Sequence, residues 1–247
     1  MPTSFGQKFV LRALDKANLS IGLDKLGFSE EPLKLFKEAI QKPYGMILIT
    51  GPTGTGKSTT LYSILNQLNT GERNIITIED PVEYEIDGIT QIQVKPEIGL
   101  DFASGLRSLL RQNPDIIMIG EIRDSETADI AVKASLTGQL VLSTLHTNDA
   151  VSSITRLIDM GVEPFLVASS LIMVCAQRLC RRICTRCKEP VEVSRELLSN
   201  IGLENKITFY HGKGCSYCVN TGIYGRMAIL EALSINDAIK EMIIQNK

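Results

Sequence analysis

The stretch Gly51-Pro-Thr-Gly-Thr-Gly-Lys57-Ser58 constrains this chain more than any other. It follows the apolar run Met46-Ile-Leu-Ile49, which reads as a buried strand. It leads into Thr59-Thr-Leu-Tyr-Ser-Ile-Leu65, which reads as a helix. Strand, glycine-rich turn and helix in that order make the G-x-x-x-x-G-K-[ST] phosphate-binding pattern. Glycines let the backbone wrap tightly enough for several N–H groups to face one anion. The helix starting there adds the positive end of its dipole. Lys57 is placed to reach the β- and γ-phosphates and Ser58 to ligate Mg²⁺. Gly51, Thr53, Gly54, Thr55, Gly56, Lys57, Ser58 and Thr59 are thus the predicted contacts to a nucleoside triphosphate.

The rest of the chain alternates strand-like and helix-like stretches. Ile75-Ile-Thr-Ile78, Ile116-Ile-Met-Ile119 and Leu140-Val-Leu-Ser143 are short apolar runs that read as buried strands, and Ile89 to Val94 alternates like another. Helices are expected at Leu33–Ala39, Phe102–Arg111, Ser125–Leu136, Ala150–Met160, Pro164–Leu179 and Asn236–Gln245. Such alternation implies a largely parallel sheet with right-handed crossovers. Ligands of such sheets collect beyond the carboxyl ends of the strands. Polar clusters follow each of the first four strands, so the chemistry is expected at one edge. Phe5 to Leu14 has strand-like alternation without an evident partner strand and reads as the end of a preceding domain.

A phosphate site becomes a nucleoside triphosphatase only with groups that hold Mg²⁺ and orient water. Glu121 follows an apolar strand directly and is the predicted residue for polarising that water. Gly120 stands where such enzymes place an Asp, so magnesium is expected to rely on Ser58 and waters. Glu79, Asp80 and Glu83 form a second acidic cluster after the neighbouring strand, able to share the metal or the water. His146, between Thr144 and Thr147, is suited to sensing the γ-phosphate. Arg107, Arg111 and Arg123 could stabilise transferring phosphate, including across a subunit boundary.

The pairs Cys184-Thr-Arg-Cys187 and Cys215-Ser-Tyr-Cys218 supply four thiolates for tetrahedral Zn²⁺. Metal would fix a segment too small to bury its own core. Cys175 reads as core and Cys180 is left over; His211 reads as exposed rather than as a ligand. Arg178, Arg181, Arg182, Arg186 and Lys188 crowd the first pair. A basic ribbon could bind nucleic acid, but aromatic interleaving is not evident and the net charge of the chain is −2. A neighbouring subunit or an acidic partner fits the cluster better. The longest uncharged run, Pro164 to Gln177, is too short to span a bilayer, so membrane insertion is not expected.

Together these segments resemble a known set. The phosphate loop, Thr77-Ile-Glu-Asp-Pro-Val-Glu83, Asp115-Ile-Ile-Met-Ile-Gly-Glu-Ile-Arg-Asp124 and Thr144-Leu-His-Thr-Asn148 look like the Walker A, Asp box, Walker B and His box of the secretion ATPase superfamily. With the cysteine pairs, the chain is similar to the C-terminal half of the assembly ATPases of type II secretion and type IV pili. The resemblance implies an α/β fold: a RecA-like P-loop core with a mainly parallel sheet, a small tetracysteine subdomain and C-terminal helices. The expected division is 1–20 for the end of a preceding domain and linker, 21–183 for the core, 184–220 for the zinc module and 221–247 for a C-terminal helical segment.

By the same resemblance Gly120 is the ordinary family variant, and Glu121, Glu83 and His146 carry over with Lys57 as catalytic residues. Arg12 matches an arginine of the preceding domain that acts at the nucleotide. The family implies a homohexamer that hydrolyses ATP with Mg²⁺ at the cytoplasmic face of the inner membrane and works on a platform protein and other secretion or pilus components. A piece without the preceding domain is expected to bind ATP yet turn over slowly. A nucleotide-gated scaffold and, less well supported, a nucleic-acid-transfer motor are the alternatives.

Overall fold

The computed structural model describes residues 2–4, 6–8, 22–200 and 207–245. Arg12 lies outside the described residues, as does most of the alternating N-terminal stretch. Pro2–Thr3 (β1) and Gly6–Gln7 (β2) pair antiparallel. After α1 (Glu30–Ala39) comes the phosphate-loop strand β3 (Gly45–Thr50), buried at every position. A parallel strand covered on both faces reads as an unbroken apolar run, which is how this one was legible.

Helix α2 (Lys57–Leu68) follows the loop, then β4 (Ile75–Glu79), β5 (Thr90–Gln93) and α3 (Phe102–Leu109). Next are β6 (Ile116–Ile119), α4 (Ser125–Leu136), β7 (Leu140–Leu145), α5 (Ala150–Asp159) and α6 (Pro164–Ser170). With β8 (Leu171–Ile183) and β11 (Ile223–Ser234), the described residues form a seven-stranded sheet in the order β11-β8-β3-β7-β6-β4-β5. Strand β3 is parallel to both β7 and β8, and β4, β5, β6 and β7 continue the parallel pairing.

Parity along the strands separates two cores. Met46, Leu48, Ile76, Ile78, Ile117 and Ile119 pack with the helices α3 to α6, whereas Ile47, Ile49, Ile75, Ile116 and Met118 pack with α1 and α2. That is the two-residue period of a strand read on both faces. Each fully buried Ile or Leu contributes about 1.5–3 kcal/mol. Helices α3, α4 and α5 start on the side-chain caps Asp101, Asp124 and Asp149, which accept from Ser104, Thr127 and Ser152 N–H at 2.8, 2.8 and 2.7 Å. Asp124 and Asp149 therefore fix where the loops after β6 and β7 end. No helix of the described residues is long and apolar enough to cross a membrane.

The expected helix Pro164–Leu179 is corrected: the helix stops at Ser170 and the chain continues as β8. Its apolar residues suit either state, and the free edge of β3 decides, since Met46 to Thr50 pair along Leu171 to Ala176. The tail 221–247 is likewise not helical throughout, because β11 precedes the terminal helix α8 (Asp237–Ile244).

Among the described residues the chain divides into two compact units, Met1–Gln177 with Leu230–Lys247, and Arg178–Ile229. The second unit contains the antiparallel pair β9 (Lys188–Val191) and β10 (Phe209–Gly212), with α7 (Arg195–Asn200) between them. A Cβ added at Gly222 would lie 2.2 Å from the carbonyl oxygen of Gly212, and its φ is +70°. Both the space and the dihedral require glycine there. Gly222→Ala is therefore expected to expose the segment 178–229 to trypsin while thermal unfolding of the parallel-sheet unit is unchanged. Undiminished protection of that segment would contradict this packing.

Candidate functional site

Gly54 and Gly56 take φ of +81° and +88°, and Gly56 is the N-terminal boundary residue of α2. Around Gly54 a Cβ would meet nothing within 4 Å, so the dihedral alone demands glycine. Lys57 is only 9% exposed, and its ammonium donates to the carbonyls of Gly51 at 2.7 Å and Pro52 at 3.1 Å. The cation thus sits inside the loop held by carbonyl dipoles. Ser58 is exposed and Thr59 half-buried, while the Thr55 hydroxyl donates to Pro52 O at 2.9 Å. Gly51, Thr53 and the glycines complete the turn.

Strands β7, β6 and β4 lie successively beside β3, and their pairing is in register: Thr50 faces Leu145, Ile119 faces Ser143, and Ile78 faces Ile119. At about 4.8 Å per strand step, the loops after all four open onto one edge. The ends are also tied directly. Thr50 Oγ1 accepts from Thr147 N–H at 2.9 Å and lies 2.6 Å from the Thr147 hydroxyl.

Glu121 emerges from β6 behind Gly120, whose N–H donates to Ile78 O at 2.8 Å and whose carbonyl accepts from the Thr144 hydroxyl at 2.8 Å. One carboxylate oxygen accepts from Arg123 Nη2; the other lies 2.9 Å from His146 Nε2. Arg123 also reaches Asp80 Oδ2 at 3.3 Å. Burial works against the charge on Glu121, but the Arg123 guanidinium and His146 outweigh it and hold the carboxyl below its ordinary range.

Glu79 is buried and has a different environment. It accepts from the Tyr62 hydroxyl, from Thr77 Oγ1 at 2.5 Å and from Gln91 Nε2 at 3.2 Å. The Tyr62 oxygen in turn accepts from Glu83 N–H at 3.1 Å. Burial, then the bond to Glu79, raises the Tyr62 phenol far above its usual pKa. Tyr62 stands on α2, so this pair ties the phosphate-loop helix to the turn carrying Asp80 and Glu83. The side chain of Glu83 is half-buried. Arg107 is committed to Glu126 at 2.7 Å in an exposed pair, and Arg111 is exposed.

Tyr62, Thr50, Thr147 and Gln177, whose amide nitrogen donates to Thr55 O at 2.8 Å, also belong to this edge, and no sequence pattern marks them as site residues. Gln177 carries the clearest signal, an amide at the end of an apolar run, since such a group must find partners when buried. Tyr62 carries a weaker one, a hydroxyl on an otherwise apolar helix face.

In the second unit the sulfurs of Cys184, Cys187, Cys215 and Cys218 all lie within 4.8 Å of one another. The Cys184–Cys215, Cys187–Cys218 and Cys215–Cys218 separations are 3.9, 3.8 and 3.7 Å. A tetrahedral zinc with ligands at ~2.3 Å would set its sulfurs about 3.8 Å apart, so the cluster fits a metal and is too wide for disulfides. The N–H groups of Cys215 and Gly222 donate to Cys218 Sγ, each at 3.3 Å. Desolvation opposes ionisation of Cys218, yet these donors prevail and bring the thiol down to about 6. His211 instead pairs with Glu189 at 3.2 Å. Aromatic interleaving is present after all: Arg186 lies 3.9 Å over the Tyr217 ring and Lys188 3.7 Å over Tyr210. These pairs form within the unit. Cys175 is buried in β8, where burial pushes its thiol up to about 12.

Three comparisons bear on this arrangement. A sequence model of the family described as Type II/IV secretion system protein matches residues 1–247. The chain is 56% identical over 248 residues to a type IV pilus assembly ATPase PilB of Myxococcus xanthus, covering 98% of this chain and 44% of that protein. It is 52% identical over 245 residues to the type II secretion system ATPase E of Vibrio cholerae, covering 98% of this chain and 49% of that one. The chain thus spans about half the length of these curated relatives. The solved structure of the pilus retraction motor PilT with bound ADP superposes with a TM-score of 0.68 at 31% identity, covering 95% of this chain and 58% of that one.

The lowered carboxyl of Glu121 gives a pH signature. Its folded pKa lies below the unfolded value of about 4.3, so its stabilisation is present above that value and is lost as pH falls through the folded one. Glu121→Gln is expected to lower the urea midpoint at pH 7 and to flatten the loss of stability below about pH 5. Parallel curves for the two proteins across that range would show that Glu121 is not held by Arg123 and His146.

Proposed function

The chain belongs to the Type II/IV secretion system protein family, and from that premise we propose that it is the ATP-hydrolysing portion of a motor for protein secretion or pilus assembly. One observation carries this reading: Glu121, between Arg123 and His146, opens onto the same sheet edge as the loop that encloses Lys57. Lys57 and the loop N–H groups bind the β- and γ-phosphates. Glu121, ionised at neutral pH, orients the attacking water by accepting a hydrogen bond. A carboxyl held below its ordinary range is a weak base, so positioning rather than early proton removal is its contribution. His146 shares that carboxylate and is placed to couple it to the γ-phosphate, and Glu83 stands with Asp80 on the turn held by Tyr62.

The exposed hydroxyl of Ser58, beside Lys57, fits a magnesium ligand. Bound Mg²⁺ would neutralise charge developing on the β- and γ-phosphates. The four cysteines fit structural zinc, which stabilises small modules by about 10–16 kcal/mol in apparent terms. The proposal extends to assembly: a homohexamer on the cytoplasmic face of a membrane, with Arg12 at the nucleotide and an inner-membrane platform protein as partner. One observation favours a second reading, a nucleotide-gated scaffold with little turnover. Each Glu121 oxygen already has a partner, Arg123 on one and His146 on the other, which draws charge away from the carboxylate that would polarise water.

Phosphate release by the protein is expected to fall at least a hundredfold in Lys57→Ala and Glu121→Gln, and its specific rate to climb with protein concentration. Turnover unchanged by either substitution removes those roles; a rate independent of both concentration and substitution favours the scaffold. Metal analysis is expected to find one zinc per chain, and a chelator strong enough to remove it to leave residues 178–229 open to protease. A metal-free chain that resists protease equally well would exclude the structural role.

A further inference from the structure

Gln177 is the last residue of the parallel-sheet unit before β8 runs on into the tetracysteine unit. The residue is 2% exposed. The amide nitrogen donates to the carbonyl of Thr55, inside the phosphate loop, at 2.8 Å. The amide oxygen accepts from the hydroxyl of Thr60, on the first turn of α2, at 2.9 Å. Thr60 Oγ1 also lies 3.3 Å from the carbonyl of Gly56. One buried amide therefore grips the loop on both sides of Lys57.

These two bonds act on the phosphate-binding backbone itself. The Thr55 carbonyl belongs to the peptide unit whose N–H is supplied by Gly56, so donation to its oxygen orients that N–H within the loop. Gly56 sits at φ +88°, where glycine is free to take other conformations and intrinsic preference does not hold the peptide. The loop needs an external clamp to keep its N–H groups converging on one anion. Gly51 supplies part of it through Lys57, whose ammonium will turn to phosphate when nucleotide enters. The clamp from Gln177 does not compete with phosphate, because it grips the loop through a carbonyl.

We propose that Gln177 is a positioning residue for nucleotide binding, holding the Thr55–Gly56 peptide and the first turn of α2 in their phosphate-binding geometry from β8. This deepens the reading of the site as a triphosphate site and rests on it. Gln177 acts through Thr55 and Thr60. The two hydrogen bonds join β8 to the loop within the parallel-sheet unit.

The test is titration of the 247-residue chain with a fluorescent ATP analogue in the presence of magnesium, beside urea unfolding without nucleotide. Lys57→Ala is the control on the underlying reading: if the unsubstituted chain binds no analogue, or Lys57→Ala binds as well as it does, the triphosphate assignment itself fails. Given a bound analogue lost in Lys57→Ala, Gln177→Leu is expected to weaken affinity about tenfold, the loss of roughly one net hydrogen bond to an ordered loop. Thr60→Val, which keeps shape and removes one partner, is expected to weaken it three- to tenfold, and the double variant no further than Gln177→Leu alone. Affinities unchanged in a Gln177→Leu chain that is merely less stable to urea overturn the proposal and leave Gln177 a satisfied core amide. If Gln177→Leu does not fold, Thr60→Val decides: weakened binding with an unchanged urea midpoint upholds the proposal, and unchanged binding overturns it.

Discussion

The parallel register of β3, β7, β6 and β4 is the constraint on which the site depends. Thr50 faces Leu145, and Ile119 faces both Ser143 and Ile78, so four loops of different length and sequence are delivered to one edge within a residue or two. The strands themselves contribute almost nothing but apolar surface and pairing. Their uniformity is what makes the loops comparable in height. Two interleaved cores, one for each parity of residue, hold that register, because a slip by one residue would exchange the faces of a whole strand.

Two carboxylates at neighbouring strand ends show how environment divides labour. Glu79 is buried among neutral donors from Tyr62, Thr77 and Gln91 and serves to hold the turn after β4 against α2. Glu121 remains partly open to solvent and is paired with a guanidinium and an imidazole, groups that can exchange partners. Similar residue types after similar strands are thus sorted by whether their partners are fixed or mobile. The caps Asp124 and Asp149 are a third use of the same chemistry, spent on helix starts rather than on any ligand.

Much of this was readable from residues alone, and the reason differs from place to place. The loop from Gly51 to Ser58 was legible because its glycines answer a backbone demand that no other residue meets, as Gly54 and Gly56 do by dihedral. The cysteine pairs were legible because metal chemistry fixes both residue type and spacing. Strand β8 was misread as helix because Leu171 to Ala176 carries no periodic signal; only the unfilled edge of β3, a tertiary fact, chooses extension. Tyr62 was invisible as a site residue for a related reason. Its partner Glu79 lies 17 residues away along the chain, and no local pattern joins them. Arg107 resembled Arg123 in sequence, and only the fold gives one a surface pair with Glu126 and the other the carboxylate of Glu121.

The asymmetry between the two ends of the sheet has a consequence for how such a chain can vary. The polar ties of the candidate site, Thr50 with Thr147 and Glu121 with Arg123 and His146, run through the loops that leave β3, β6 and β7, and Arg123 carries them to Asp80 after β4. The connections entering those strands, at 41–44, 70–74 and 137–139, carry bonds of their own, as where Asn74 meets Asp115, Gln112 and Asn113, but these hold the turns rather than the candidate site. Length changes, grafted tags or a new pair of termini belong at those entering turns, where Gly71 and Gly138 have open space around them. Diversification within a lineage and protein engineering would share the same permissive side of the molecule, leaving the phosphate side as inherited.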